Sequence, residues 1–230
     1  MVWQAADRPH HRHHRRRQLS LVLHVEPHWV SPYVFACFVV LREKGLEFEA
    51  RALEARQGET QGAAYLTQTV TGRVPTLVHH DTFGLGESSA IIEYLEEAFP
   101  EPAVLPALPQ ERARCRQLMS WIRSDETAPL RAERSTHVMF YERNHAPLSP
   151  EAARAAKKLV DVAGRVLRPG APNIFESWSI IDSELAFILH RLILNGDPVP
   201  SAVREWAKAQ WQRPTVKAFV EIVRPRMLAT

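Results

Sequence analysis

Between residues 100 and 109 the chain carries four prolines, Pro100, Pro102, Pro106 and Pro109. Such a stretch can neither continue a helix nor pair as a central strand, so it reads as a linker. Before it, two-residue apolar alternation and helical patterns take turns. After it, the alternation does not return. Such a chain must build one sheet-bearing domain and then an all-helical one, and 230 residues are enough for both. The expected division is a tail at 1–18, an α/β domain at 19–100, a linker at 101–110 and an all-α domain at 111–230.

In the first half, Leu19, Leu21, Leu23 and Val25 alternate with Ser20, Val22 and His24, which predicts a strand with one apolar face. Ser31-Pro32 then opens a helix, with serine as N-cap and proline at the first helical position. Its run from Val34 to Leu41 is apolar nearly all round, so burial on most sides is expected, and Gly45 ends it. Leu46, Phe48, Ala50 and Ala52 alternate with Glu47, Glu49 and Arg51 as a second strand, which completes a parallel βαβ unit. Residues 53–72 read as a loop with one short helix. Thr76–His79 and Phe83–Leu85 read as a hairpin, and Glu87-Ser88-Ser89 leads into a helix carrying Ile91, Ile92, Leu95 and Phe99.

Beyond the linker, helices are expected over 110–143 with an interruption at Pro129, from Ser149-Pro150 to about Arg168, and from Ser179 to Asn195. Two short helices follow at 201–211 and 214–222. The longest apolar run, Val34 to Leu41, is far shorter than the ~20 residues of a membrane span. Two cysteines, Cys37 and Cys115, are too few for a disulfide framework or a cysteine-built zinc site, so no metal centre and a reducing cytoplasm are expected.

The chain's net charge of +3 suggests nucleic acid until the charge is located. Arg8, Arg12, Arg15, Arg16 and Arg17 against Asp7 give the tail +4, which leaves the body at −1. The tail also holds His10, His11, His13 and His14. It has too few apolar residues to fold and lacks the apolar core of a secretory signal. It reads as an idle disordered extension, with a metal-binding or nucleic-acid-binding arm as the alternative.

Three features of the first half converge. Ser31 stands at a helix entry, where its ordinary role is capping. Val74-Pro75 precedes a strand, so the proline occupies the strand's first position or a cis bond. Glu87-Ser88 stands at another helix start, where a hydroxyl, amides and the helix N-terminus suit a carboxylate or phosphate, or simply cap the helix.

The order βαβ-ββα, with Val-Pro before the third strand and Glu-Ser before the third helix, resembles the cytosolic glutathione transferases. The stretches Ser31-Pro-Tyr-Val34, Gly86-Glu-Ser-Ser-Ala-Ile91, Glu93-Tyr-Leu95, Trp121-Ile-Arg-Ser-Asp125 and Gln210-Trp-Gln-Arg213 look most like the bacterial YfcF-type group. Ser179-Ile-Ile-Asp182 matches the family's helix-capping signature, a structural role that needs no substrate. The likeness spans about residues 19–224.

The resemblance implies an N-terminal thioredoxin-like domain with a mixed four-stranded sheet, a helical C-terminal domain and a homodimer. It implies no permanently bound cofactor, and glutathione as co-substrate. Ser31 would activate the glutathione thiol. The main chain of Val74, preceding a cis Pro75, would pair with the tripeptide. Glu87 and Ser88 would hold the γ-glutamyl end, and Arg73 either reaches the glycyl carboxylate or stays solvated. Tyr33, Trp121 and Met139 are candidates for a pocket taking a hydrophobic electrophile, or are plain core. The implied activity is conjugation, with reduction of organic hydroperoxides beside it; no membrane or nucleic-acid partner is expected. The alternative is a non-catalytic ligand carrier or scaffold on the same fold. Thr69-Val70 stands where many relatives read Asn-Pro, and His28 is idiosyncratic. The nearest thiol, Cys37, lies six residues past Ser31 and off that helix face, which disfavours a glutaredoxin-like protein thiol.

Overall fold

The computed structural model describes residues 21–54 and 58–226. The basic tail, and Leu19 where the first strand is expected to begin, lie outside them. The first half forms β1 (Leu21–Val25), α1 (Pro32–Glu43), β2 (Glu49–Ala52), α2 (Ala63–Leu66), β3 (Thr76–His79), β4 (Phe83–Gly86) and α3 (Ser88–Ala98). The sheet order is β2-β1-β3-β4; β1 pairs parallel with β2 and antiparallel with β3, and β3 and β4 form a hairpin.

The first strand departs from its one-faced pattern, since all five residues of β1 are buried. Leu21, Leu23 and Val25 face the core, while residues 59–66 fold across the opposite face and set the Tyr65 ring edge-on to His24 at 5.3 Å. An internal strand covered on both sides gives no polar face to read. By contrast β2 is a short, exposed edge, and Leu46 and Phe48 pack on the core from outside the strand.

Helix α1 is buried from Val34 to Leu41, as its all-round apolar surface requires. Lys44 caps it and Gly45, at φ +63°, turns the chain out. Its Phe35 packs on Phe187 and Phe219 of the second half, with ring centroids 4.3 and 5.2 Å apart. Lys44 is itself buried: its ammonium donates to Glu96 at 2.8 Å and to the carbonyls of Phe99 and Pro102. That contact stitches the end of α1 to the end of α3 and the proline linker.

The second half contains α4 (Pro109–Arg123), α5 (Ala128–Glu133), α6 (His137–Phe140), α7 (Pro150–Val166), α8 (Ile180–Ile193), α9 (Ser201–Trp211) and α10 (Pro214–Val220). The expected interruption at Pro129 falls instead at Ser124, where the backbone becomes extended. Pro129 lies in the first turn of α5, a position that needs no N–H. Helix α8 is buried from Ile180 to Leu192, which puts charged residues inside the molecule. No helix of the described residues is long and apolar enough to cross a membrane.

Candidate active site

Ser31 caps α1: its Oγ accepts from the amides of Tyr33 and Val34, both at 3.3 Å. Two accepted bonds leave the hydroxyl proton free to donate. Behind it, the Glu26 carboxylate accepts from the amides of Val30 at 2.7 Å and Ser31 at 2.9 Å, fixing the turn into the helix. A carboxylate five residues before a cap carries no sequence signal, so Glu26 escapes a reading by motif. His28 lies in that turn and is half-buried.

The Val74–Pro75 bond is cis, and β3 begins at Thr76. Tyr65 anchors this corner, its hydroxyl 2.8 Å from the Arg73 carbonyl and 2.9 Å from Thr76 Oγ1, with one proton to donate between them. The preceding loop lies against β4 so closely that a Cβ on Gly84 would stand 1.6 Å from the Gln68 carbonyl oxygen. Only glycine fits there. Glu87 is the N-cap of α3 at φ +65°, ψ 114°, and its side chain makes no capping bond. Among the described residues its carboxylate makes no hydrogen bond or ion pair, and it is exposed beside the buried Ser88.

These residues share one cavity of about 200 Å³, lined by Tyr33, Arg73, Val74 and Pro75 on one side and Glu87, Ser88, Ser89 and Arg123 on the other. Ser31 stands two residues from Tyr33 and is not among the lining residues. The unpaired first-turn amides of α3 and the Arg123 guanidinium, 3.4 Å from Ser88 Oγ, make this corner attractive to a carboxylate. Arg123 is mostly buried. Burial alone would lower its pKa, but the Glu184 carboxylate, held by two hydrogen bonds, keeps it above the usual value.

A second, smaller cavity adjoins the first across Tyr33 and Arg123, between α1 and helices α4, α5 and α8. Two of the residues expected to line such a pocket stand elsewhere. Trp121 turns its indole N–H to Glu126 outside α4, and Met139 packs on the core. The wall of α4 is made by Ile122 and Arg123, one and two positions further round the helix, and Arg131, Glu184 and Arg191 join it. A sequence offers no reason to point arginines inward, so no local pattern marks these residues.

The remaining groups are structural. Burial pushes the Cys37 thiol well above its ordinary pKa, and it faces the Ser88 carbonyl at 3.9 Å from within the core. Cys115 is also buried, its thiol pushed up to about 12 by desolvation. Asp182 completes a capping box, accepting from the amides of Ser179 at 2.9 Å and Ile174 at 2.7 Å. Burial raises its pKa to about 6 despite those bonds. Among the described residues no group of three His, Cys, Asp or Glu could hold a metal ion.

The glutathione S-transferase N-terminal domain model matches residues 30–98, and the C-terminal domain model matches residues 109–224. A crystal structure of a glutathione transferase homolog from Burkholderia (BGR1), with bound glutathione, is 39% identical with a TM-score of 0.70, covering 88% of this chain and 96% of that one. A stringent starvation protein A homolog from Coxiella burnetii is 30% identical over 187 residues, 78% of this chain and 82% of its own length. Glutathione S-transferase 1 of Dianthus caryophyllus is 44% identical over 75 residues, so the matched part of the chain spans about a third, 34%, of that relative. With both domain models matched in order across the proline linker, and the mixed four-stranded sheet followed by helices, the chain belongs to the glutathione S-transferase family.

Proposed function

We propose that the chain is a glutathione transferase, binding glutathione in the cavity between Val74-Pro75 and Glu87-Ser88 and activating its thiol with Ser31. The convergence of Arg73, Val74, Pro75, Glu87 and Ser88 on one cavity carries this reading. The Glu87 carboxylate takes the γ-glutamyl ammonium, and Ser88 with the α3 amides takes the α-carboxylate. The Val74 main chain pairs with the tripeptide, and Arg73 faces the glycyl carboxylate. The thiol then lies toward the start of α1.

A free thiol has a pKa of ~8.5, and only the thiolate attacks well. Lowering it by about two units takes roughly 2.7 kcal/mol of preferential thiolate stabilisation. One hydrogen bond to a charged sulfur contributes about 1.5–3 kcal/mol, and a helix N-terminus about 0.3–1. The free Ser31 proton at the start of α1 is therefore sufficient in magnitude. The thiolate attacks an electrophilic carbon and displaces its leaving group, or attacks the outer oxygen of an organic hydroperoxide. The latter breaks the O–O bond to release the alcohol and leave glutathione sulfenic acid, which a second glutathione converts to the disulfide and water. The second substrate is seated against Tyr33. A cytoplasmic homodimer is the expected setting.

Ultraviolet titration of the bound thiolate tests the role of Ser31. In Ser31→Ala the thiol pKa is expected to rise by about a unit or more, with glutathione affinity nearly unchanged. Superimposable titrations would reduce Ser31 to a cap. The Coxiella relative's name states no enzyme activity, which supports a second reading as a ligand carrier or scaffold. Failure to turn over any model electrophile, with glutathione still bound, would favour that reading.

A further inference from the structure

The second cavity is not a purely apolar pocket. Phe187 and Phe35 form part of its wall, but Arg123, Arg131 and Arg191 also line it against the single carboxylate of Glu184, a net of two positive charges. Glu184 is already taken by Arg123. Among the described residues neither Arg131 nor Arg191 has a carboxylate within 4 Å. Arg131 donates to the Tyr33 hydroxyl at 2.8 Å and to the Ser124 carbonyl at 3.1 Å. Arg191, only 4% exposed, donates through Nη1 to the carbonyls of Arg134 at 2.9 Å and Arg131 at 3.5 Å.

Carbonyls at the end of α5 account for one nitrogen of Arg191 and leave the rest of its fork unused. Among the described residues the Nε atoms of Arg123, Arg131 and Arg191 are all buried without a partner. Burying a cation without a counter-charge is costly, and removing a partner from a buried charge pair typically costs several kcal/mol. Burial, reinforced by the Arg131 charge, already brings Arg191 down to about 10. A guanidinium fork of this kind matches a planar carboxylate in two-pronged geometry. The space, about 30 Å³, exceeds what one water needs and suits a carboxylate head rather than a whole molecule.

We propose that this arginine-lined cavity is the anchor for a carboxylate on the second substrate, so that the preferred electrophile is an apolar carboxylic acid and not a neutral compound. The apolar body would lie over Phe187 and Tyr33, with its reactive carbon toward the thiol and its carboxylate between Arg131 and Arg191. This rests on the transferase reading for the word substrate, but the anion site itself does not depend on it.

Calorimetric titration of the full chain with 3-nitrobenzoate and with 3-nitrobenzamide, which differ in the anionic group, tests the proposal. The acid is expected to bind at least about tenfold more tightly than the amide. Saturating glutathione should leave that preference in place, and Arg131→Gln should nearly abolish it. Arg191→Gln should do the same; because its side chain also supports α5, the wild-type acid–amide comparison and Arg131→Gln stand without it. Equal affinity for acid and amide, including none for either, would overturn the proposal. So would a preference that survives both substitutions, or one that vanishes with glutathione bound, since the anion would then occupy the tripeptide's own carboxylate site. Glutathione is titrated separately: if it fails to bind while the acid preference holds, the transferase reading falls and the anion site remains.

Discussion

Glu87 allows backbone strain to be separated from ligand holding. Its φ of +65° with ψ 114° lies outside the regions that an L-residue adopts freely, and its side chain makes no capping bond that would offset this. Holding a residue there costs on the order of 1–3 kcal/mol. Glycine removes most of that cost but loses about 0.5–1 kcal/mol in backbone entropy on folding. Glu87→Gly is therefore expected to be more stable than Glu87→Ala by about 1 kcal/mol. Both lose the carboxylate, so both should bind glutathione about 10- to 100-fold more weakly. Urea unfolding reads the first effect and calorimetry the second. If the glycine variant is no more stable than the alanine variant, no strain is stored at this corner. If both bind glutathione normally, the carboxylate does not hold the tripeptide.

Two buried groups of α8 oppose each other in pH dependence. Burial raises Asp182 from 3.8 to about 6, so the folded state holds an extra proton and stability falls as pH rises through that window. Burial lowers His190 from 6.5 to about 4, so there the unfolded state holds the extra proton and stability rises with pH. Each amounts to about 3 kcal/mol across nearly the same range, so in the wild type these two contributions should nearly cancel from pH 4 to 6. Asp182→Asn should expose a rising slope in denaturant unfolding, and an unchanged profile would refute the pairing. Lys44→Met leaves Glu96 buried with only Arg112 as a cation, and should cost about 3 kcal/mol by the same measurement; a loss near zero would mean the stitch contributes nothing. Gly84→Ala must displace the loop at Gln68, which should cost at least about 2 kcal/mol and weaken glutathione binding through Arg73 and Val74. Normal affinity in a folded Gly84→Ala protein would separate the loop from the site.

Local pattern made much of this fold legible. Ser31-Pro32, Gly45 and Gly196 mark helix ends by rules that act within a few residues, and the hairpin around His80-Asp81 follows from its short spacing. Pattern failed where tertiary cover decided the outcome. His24 looks like a solvent-facing alternate residue, yet Tyr65 lies over it. Pro129 looks like a break, yet a proline in a first turn interrupts nothing. At the site, the residues brought together by the cis Val74–Pro75 corner and the start of α3 are legible through the Val-Pro and Glu-Ser motifs and the family resemblance they carry. Arg123, Arg131 and Arg191 are not, because an inward-facing arginine on an amphipathic helix has the same local signature as a solvated one.

Phe35 of the first helix lies in a ring cluster with Phe187 and Phe219, while Trp29 and Phe38 also reach Phe219. The proline linker therefore joins two segments that do not end where it runs, since the element bearing Ser31 has one flank on the sheet and the other inside the helical half. Cutting the gene there would not release an independent binding module. A fragment ending near residue 100 would bare the side of α1 that packs on the helical half, a large apolar patch of the kind that drives aggregation. Folding therefore treats the two halves as one, and the place of the helix that Ser31 caps depends on side chains encoded nearly two hundred residues later.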